Sequence, residues 1–244
     1  MKQNKEKKKI LRYRIIMIIL LSVMIFSLYK ICTILMEYRQ GTQAYEKIQN
    51  LAVQEDAEAE NPIDFEVLQR KNSDIKGWLR AKGTIINYPV VQGKDNQYYL
   101  YRMADRSENG KGSLFIDYRC KRPFEQFNTI IYGHRMKDGS MFHTLTEYES
   151  KEFYKNHQVM EIFLPEKQYK LEIFAAVRIP ADSSLYKWEF SGRTEKKIYL
   201  SKIQEKNLLE TNIIPEPDDR IVMMSTCTYE FEDARLVVYG RLKT

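Results

Sequence analysis

The amino-acid sequence predicts a mainly β fold with helical insertions, preceded by one membrane-spanning helix. Beyond Trp78, runs of β-branched and aromatic residues recur between turn signals, at 84–91, 113–118, 128–133, 158–164, 169–179, 220–227 and 235–243. So many short strands favour a barrel or a sandwich over a doubly wound parallel sheet. The 244 residues are 43% hydrophobic, and no Pro-, Gly- or Ser-rich linker divides them, which indicates one substantial core.

An apolar segment near the N-terminus predicts the membrane helix. The 22 residues from Ile15 to Met36 contain one charge, Lys30. As a helix they would span about 33 Å at about 1.5 Å per residue, enough to cross the hydrocarbon layer. Residues 1–14 hold seven Lys or Arg and one Glu, so the positive-inside rule predicts a cytoplasmic N-terminus and an extracellular C-terminus. A cleaved signal peptide is the alternative, but the apolar run exceeds an ordinary h-region.

Charge and composition predict how the rest of the chain is divided into a stalk and a folded domain. The formal net charge of the chain, +6, equals that of the 1–14 tail, because residues 15–244 carry 32 basic and 32 acidic side chains. The charge therefore gives no argument for nucleic-acid binding. After the 15–36 anchor, residues 37–60 are polar and acid-rich and predict an extracellular stalk. A folded domain is expected over 61–244, beginning with a short helix after Asn61.

Two helical insertions are expected within this domain. One covers 141–156, and the other covers roughly 193–208, inside a connection at 180–219 that is too long for an ordinary barrel loop. No glycine-rich phosphate loop is visible, and the histidines have no metal-ligand spacing with cysteines or carboxylates. The sequence therefore predicts no metal and no nucleotide cofactor.

The candidate nucleophile is Cys227, which ends an apolar strand-like run in the sequence Met224-Ser225-Thr226-Cys227-Thr228. A lone cysteine is usually a packed small hydrophobe. Arg235 lies eight residues further on, at the start of the next apolar run. An arginine on a strand is usually a surface residue or an ion-pair partner, here of Asp233 or Glu232. Either residue alone is a weak signal.

The partner that strengthens both is His134, in the sequence Tyr132-Gly133-His134-Arg135-Met136-Lys137-Asp138-Gly139. A β-branched run ends here and passes into a Lys-Asp-Gly turn, so His134 also lies at a strand end. His143 and His157 are expected to be bystanders. Asp138 lies in a turn that favours local hydrogen bonds, so we expect no third, acidic member of the site.

These motifs resemble class B sortases. The resemblance runs from about Asn61 to the C-terminus, and it includes the stretches Gly77-Trp78-Leu79, Ile86–Gln92, Leu114–Arg119, Tyr132–Phe142 and Ser225–Arg235. It implies a closed eight-stranded sortase-type β-barrel, with a helix between the sixth and seventh strands. It also implies that Cys227 is the nucleophile, His134 the general acid and base, and Arg235, with the backbone N–H of Thr228, the stabiliser of the oxyanion.

The resemblance extends to the substrate groove. Asn96, Leu100 and Ser225 match groove-lining positions, and Thr226, Thr228 and Tyr186 are further candidates for substrate binding. The structural alternatives are a helix N-cap for Asn96, a core position for Leu100 and a polar strand position for Ser225. Of the three cysteines, Cys32 lies in the membrane helix, and we expect Cys120 and Cys227 to be free, because a disulfide would block the nucleophile.

The function implied is that of a membrane-anchored cysteine transpeptidase on a Gram-positive surface. It would cut a C-terminal sorting signal of a secreted protein, form a thioester, and join the new carboxyl end to an amine of peptidoglycan or lipid II. The alternatives are a cysteine hydrolase without transfer, a pilin-polymerising sortase and a non-catalytic tethered module.

Overall fold

The computed structural model of the chain describes residues 2–53, 61–227 and 233–244, without the side chains of residues 2–5, 7–9 and 227. It comprises two compact units, Met1–Thr42 and Gln43–Thr244. Helix α1 extends from Lys2 to Ala52. Among the described residues, this is the one helix long and apolar enough to cross a membrane, and its most apolar window has a mean hydropathy of 2.5 and is entirely unburied.

The end of α1 belongs to the second unit, although the sequence places it in the 37–60 stalk. Tyr45, Ile48 and Ala52 are buried. Tyr45 also donates a hydrogen bond from its hydroxyl to the Gly112 carbonyl, at 2.6 Å. These three positions recur every three to four residues and form one apolar helix face. The compact unit therefore begins before Asn61. The remainder of the predicted stalk, residues 54–60, lies outside the described residues.

Eight strands in the second unit form a closed barrel, as the resemblance implies. They are β1 (Ile75–Arg80), β2 (Asn87–Val91), β3 (Leu114–Ile116), β4 (Asn128–Tyr132), β5 (Val159–Leu164), β6 (Lys167–Pro180), β7 (Ile221–Cys227) and β8 (Ala234–Lys243). Their order around the barrel is β1-β2-β3-β4-β7-β8-β6-β5. The pairs β2–β3 and β4–β7 are parallel, and the other pairs are antiparallel.

The residue patterns predicted seven of these strands and not β1. The sequence of β1, Ile-Lys-Gly-Trp-Leu-Arg, has a central glycine and two charges, which conceal the strand pattern. The register with β2 shifts between Ile75 and Gly77. A Cβ at position 77 would lie 3.0 Å from Leu164 Cδ2 and 3.1 Å from the Phe163 carbonyl oxygen. The glycine thus marks a close approach to β5.

The second unit has a short helix before β1 and further helices at the two predicted insertions between strands. Helix α2 (Phe65–Lys71) is capped by Asp64, whose carboxylate accepts a hydrogen bond from Val67 N at 2.9 Å, so the helix begins later than Asn61. A 3₁₀ helix (Phe142–Glu149) and α3 (Lys151–Asn156) follow β4. Helix α4 (Arg193–Glu205) lies between β6 and β7, where the resemblance placed a helix.

The parallel pair β4–β7 determines where the candidate site lies. Its register runs from Asn128 opposite Ile221 to Tyr132 opposite Ser225. Parallel strands end at the same edge of a sheet, so the segments that follow both strands emerge together. His134 follows β4, and Cys227 is the last residue of β7.

Candidate active site

The ends of β4 and β7 bring the backbone at the predicted catalytic positions 134 and 227 close together in space. Gly133 N donates a hydrogen bond to the Ser225 carbonyl at 3.1 Å, which continues the β4–β7 pairing by one residue. His134 is the next residue after Gly133, and Cys227 is two residues after Ser225. This backbone register brings positions 134 and 227, where the two reactive groups are expected, to one edge of the barrel.

Position 133 requires glycine because two side chains crowd it. A Cβ built there would lie 2.5 Å from Leu114 Cδ2 and 2.6 Å from Phe142 Cδ2. Any larger residue would push the chain away from β3 and from the 3₁₀ helix. The close packing at Gly133 therefore fixes the direction in which the backbone leaves β4 toward His134.

The His134 ring has a defined hydrogen bond. Its Nε2 lies 2.7 Å from the Leu100 carbonyl oxygen. Since a carbonyl oxygen only accepts, Nε2 must carry the hydrogen in this arrangement. The Tyr101 ring lies beside the imidazole, with 6.1 Å between the ring centroids. Leu100 thus contributes a backbone acceptor to the site in addition to lining the groove.

Arg235 lies at the start of β8, directly opposite Cys227 in the antiparallel β7–β8 register. Its side chain is half-buried, and Nη1 donates a hydrogen bond to the Ala234 carbonyl at 3.1 Å. Within the described parts of the chain, no ion pair joins Arg235 to Asp233. The side chain of Cys227 and the whole of Thr228 lie outside the described residues.

A groove of about 590 Å³ opens at this edge of the barrel. Its lining includes seven residues predicted for the site and several that were not. The lining residues are Asn96, Leu100, Phe115, Arg119, Tyr132, Gly133, His134, Ala181, Asp182, Ser183, Tyr186, Trp188, Ser225, Thr226 and Arg235. The structure therefore places His134 and Arg235 in one concave space with every predicted substrate-binding residue that it describes.

One side of the groove is formed by the segment that follows β2. Asp95, and not Asn96, accepts the local hydrogen bonds from Gln97 N and Tyr98 N, both at 2.8 Å, before the short 3₁₀ helix Tyr98–Leu100. The Asn96 side chain instead donates to Asp117 Oδ2 at 3.0 Å and accepts from Tyr118 N at 3.1 Å. Asn96 is thus held by the segment after β3.

A second wall of the groove is formed by residues of the connection between β6 and β7. Tyr186 OH lies 2.7 Å from Ser225 Oγ, and its ring stacks on Tyr132 with 6.0 Å between centroids. Ser225 and Thr226 are both buried. Thr226 Oγ1 has no hydrogen-bond partner within the described part of the chain. Leu185, the residue before Tyr186, is buried and does not line the groove.

A buried carboxylate beneath the groove was not predicted. Asp117 accepts from Arg119 Nε at 2.8 Å, from an Arg119 Nη at 2.6 Å and from Tyr132 OH at 3.0 Å, besides Asn96. The Arg119 guanidinium lies 3.6 Å from the centre of the Trp188 ring. In the sequence, the Asp-Tyr-Arg triplet after a strand was the available signal, but its internal ion pair could not be read from spacing alone.

The other ionisable residues near the loop have local partners. Asp138 accepts from Lys111 Nζ at 2.5 Å and does not contact His134 among the described contacts. His143 Nδ1 lies 2.8 Å from the Met136 carbonyl oxygen, and the His157 ring stacks on Phe153 with centroids 4.1 Å apart. Each of these three residues thus has a local partner away from His134.

Neither of the other two cysteines forms a disulfide. Cys120 is buried and free, and burial raises the pKa of its thiol to about 11. Cys32 is also free, in α1. Over residues 2–53, 61–227 and 233–244, no group of three His, Cys, Asp or Glu side chains could hold a metal ion.

Comparison with known proteins agrees with this geometry. Residues 79–243 match a family model described as "Sortase domain". Sortase B of Listeria monocytogenes is 35% identical over 242 residues, covering 93% of this chain and 95% of that protein. A Staphylococcus aureus structure described as a sortase B-substrate complex has a TM-score of 0.75 at 30% identity, covering 86% of this chain and 99% of that one. Sortase B from B. anthracis has a TM-score of 0.76 at 37% identity, covering 86% and 99% of the two chains.

The chain belongs to the sortase family. The similarity to sortase B proteins confirms the predicted resemblance to class B. Sortases are cysteine transpeptidases, so the chain is an enzyme of that kind, and a non-catalytic tethered module is excluded. The relatives do not favour the alternatives of a hydrolase without transfer or a pilin-polymerising enzyme.

Proposed function

We propose that the enzyme cuts a C-terminal sorting signal of a secreted protein and joins the new carboxyl end to an amine of cell-wall peptidoglycan or of lipid II. One observation carries the proposal: the groove collects His134, Arg235 and the predicted substrate-binding residues at the edge where β7 ends in Cys227. The donor signal would be of the Asn/Ser/Pro-Pro-x-Thr-Gly/Asn kind that the class B resemblance implies.

The first step uses Cys227 and His134. The Cys227 thiolate attacks the scissile carbonyl carbon, forming a C–S bond, and the C–N bond of the peptide breaks. His134 donates a proton to the departing amine. The Leu100 carbonyl holds the ring through Nε2, at 2.7 Å, which leaves Nδ1 for proton exchange with the substrate. This backbone acceptor orients the imidazole, and among the described residues no carboxylate contacts the ring.

Arg235 stabilises the negative charge that develops on the carbonyl oxygen. Arginine remains charged throughout the physiological range, and donors aimed at a developing oxyanion contribute about 2.7–4 kcal/mol each. The pairing of Arg235 with Cys227 across β7 and β8 supports this role, since opposed residues of an antiparallel pair are close neighbours. We assign the backbone N–H of Thr228 as the second donor.

The second step transfers the acyl group. An incoming amine attacks the thioester, a C–N bond forms, the C–S bond breaks, and His134 accepts the proton that the amine releases. The result is an amide in place of the one that was cut, with Cys227 regenerated. Transfer to an amine in preference to water separates this reaction from proteolysis.

The donor side of the proposal has support from a relative. The Staphylococcus aureus structure is described as a sortase B-substrate complex, and this chain is similar to it over 86% of its length. Here the groove offers an amide at Asn96, hydroxyls at Ser225 and Tyr186, and an indole at Trp188. A few directed polar groups among aromatic walls suit a short extended peptide.

We also propose that α1 anchors the enzyme with its basic end in the cytoplasm and the barrel outside. The support is the apolar segment of α1 and the excess of Lys and Arg in residues 1–14. This orientation places the groove in the compartment where secreted donor proteins and cell-wall amines both occur.

The test uses the full-length chain in detergent micelles with a quenched sorting-signal peptide and added triglycine. We expect cleavage, a peptide–triglycine conjugate, and a covalent acyl-enzyme on Cys227 by mass spectrometry. Cys227→Ala should abolish both products while the thermal melting temperature stays unchanged. If rising triglycine concentrations left only the free acid as product, the enzyme would be a hydrolase and the proposal wrong.

A further inference from the structure

Asp117, just after β3, has a buried carboxylate at the base of the groove. Its side chain has no solvent exposure in its ion pair with Arg119. Five donors reach its two oxygens: Oδ1 accepts from the Arg119 backbone N at 3.0 Å and from Arg119 Nε at 2.8 Å. Oδ2 accepts from an Arg119 Nη at 2.6 Å, from Asn96 Nδ2 at 3.0 Å and from Tyr132 OH at 3.0 Å. A buried carboxylate with this many donors is fully satisfied.

The donors come from different parts of the groove. Asn96 belongs to the wall that follows β2, and Tyr132 is the last residue of β4 and also lines the groove. Arg119 extends toward the other wall, where its guanidinium lies 3.6 Å from the centre of the Trp188 ring. Through these contacts one carboxylate connects Tyr132 of β4 with both walls.

The protonation states suit this arrangement. Burial alone would raise the pKa of Asp117, but the hydrogen bonds from Arg119 and Asn96 outweigh it and hold the pKa below its usual value. Burial and the nearby Asp117 charge raise the pKa of Tyr132 well above its usual value, so its hydroxyl remains a donor. At neutral pH the carboxylate is therefore charged, and its donors keep their hydrogens.

The main chain at Asp117 is held independently of this side chain. Its backbone N donates to the Ile130 carbonyl at 2.9 Å, and its carbonyl accepts from Gln92 Nε2 at 3.1 Å. Among the described contacts, the Asp117 side chain makes no hydrogen bond with the backbone of a β-strand. Its donors Asn96 and Arg119 lie in loops, and Tyr132 is the last residue of β4. Removing the Asp117 charge should therefore disturb the positions of the groove walls more than it lowers the stability of the barrel.

We infer that Asp117 is a positioning residue for the donor peptide: its carboxylate fixes the separation of the Asn96 wall and the Trp188 wall, and so sets the affinity of the groove. This inference rests on the proposed function. Asp117 has no role in the bond changes at Cys227, because it binds only groove-wall residues and none of the three catalytic positions among the described contacts.

The first test compares Asp117→Asn with wild type in the peptide–triglycine assay. Asparagine keeps the size and removes the charge that Arg119 and Tyr132 bind. We expect KM for the donor peptide to rise about tenfold or more, with kcat changed less than threefold. The rate at which iodoacetamide alkylates Cys227 should stay the same. Unchanged KM, or a kcat loss in proportion to the drop in melting temperature, would overturn the inference.

Glu161→Gln is the matched control. Glu161 is also a partly buried carboxylate bound to a guanidinium, with Arg80 Nε at 2.8 Å, but it lies on β5 and does not line the groove. We expect its KM to equal that of wild type. An equal KM increase in both variants would show a general effect of losing an ion pair.

A second readout does not depend on turnover, so it separates this inference from the proposed function. Acrylamide quenching of Trp188 fluorescence, obtained by subtracting the signal of the Trp188→Phe variant, should rise about twofold in Asp117→Asn as Arg119 leaves the indole face. If the enzyme proved to transfer no peptide, this quenching would still decide whether Asp117 orders the wall. Unchanged quenching contradicts the inference.

Tyr132→Phe covers the case in which Asp117→Asn shows no cooperative melting. It keeps the ring that stacks on Tyr186 and removes one donor to Asp117. We expect KM to rise about twofold to threefold with an unchanged melting temperature. A KM equal to wild type in this variant would overturn the inference.

Discussion

The two ends of the barrel both carry a partly or fully buried aspartate bound to an arginine, and they use it differently. At the groove end, Asp117 binds groups from three separate segments around the groove. At the opposite end, Asp219 precedes β7 and contacts Arg241 at 3.7 Å and Lys243 at 3.3 Å, both on β8. Asp117 connects segments that line the substrate groove, and Asp219 links the start of β7 to the end of β8.

Charge at the groove end therefore serves activity, and charge at the opposite end serves only the fold. Strand β8 shows it along its own length, because Arg235 lies opposite Cys227 at one end and Arg241 lies opposite Ile221 at the other. Arg241 binds Glu172 of β6 at 2.7 Å. Arg235 has no carboxylate partner in the described parts of the chain, and it lines the groove. The two arginines should therefore respond oppositely to the same substitution.

Arg235→Gln is the substitution with the largest expected effect. We expect kcat for peptide transfer to fall by about 10²–10³, since one donor to the oxyanion is lost. The melting temperature should change little. Arg241→Gln is the control on the same strand, with the reverse pattern: a lower melting temperature and a wild-type kcat. A similar kcat loss in both would remove the distinction between the barrel ends.

Asp138→Asn should have the next largest effect, on stability. Lys111 is almost fully buried, and Asp138 contacts its Nζ at 2.5 Å. Weakening the neutralisation of a buried ammonium should cost about 3 kcal/mol in the free energy of unfolding. Urea denaturation measures it. Glu210→Gln, which breaks the exposed pair with Lys151, is the control, and it should cost about 0.5 kcal/mol or less. Equal costs would contradict the role assigned to burial.

Asp219→Asn should have the smallest effect, and it should depend on pH. Burial raises the pKa of Asp219, but a backbone N–H and the Lys243 charge outweigh it and lower the pKa below 3.8. A lowered pKa in the folded state stabilises the fold above pH 3.8, and this contribution is lost as the pH falls through the folded-state value. We expect a cost of about 1 kcal/mol or less at pH 7.

The stability difference between wild type and Asp219→Asn should disappear at acid pH. Urea midpoints of wild type and Asp219→Asn should converge as the pH is lowered from 7 through the folded-state pKa of Asp219, because both forms are then uncharged at position 219. Peptide transfer at pH 7 should be unchanged. A constant difference across this pH range would show that the Asp219 charge is not the cause.

Most of the barrel could be predicted from the sequence because its strands have regular apolar patterns. The strands β2 to β8 follow such runs, whereas β1 has a glycine and charges where the pattern should continue. The end of α1 was assigned to a stalk because the apolar side chains of Tyr45, Ile48 and Ala52 are spaced among polar residues. When the buried face of a helix consists of only a few spaced apolar residues, the sequence looks like a polar linker.

The site was predictable to the extent that its residues lie at strand ends. His134, Arg235 and Ser225 follow from motifs, and their convergence follows from two strand pairings, the parallel β4–β7 pair and the antiparallel β7–β8 pair. Asp117 could not be identified in this way, because its importance comes from donors at positions 96, 119 and 132 that only the fold brings together. For the same reason, the backbone carbonyl of Leu100 has no signature in the sequence.

The parallel pairing of β4 and β7 has a consequence for how such enzymes diversify. Parallel neighbours cannot be joined by a tight hairpin, so a long stretch of chain separates β4 from β7. It includes β5 and β6, and its last part, an excursion from β6 to β7, carries both α4 and the Tyr186–Trp188 wall. Insertions or replacements in that excursion can remodel the peptide-recognition surface while the strand register, and with it the spacing of the reacting groups, stays constant. Cargo preference and bond-making chemistry can therefore evolve on separate stretches of one polypeptide.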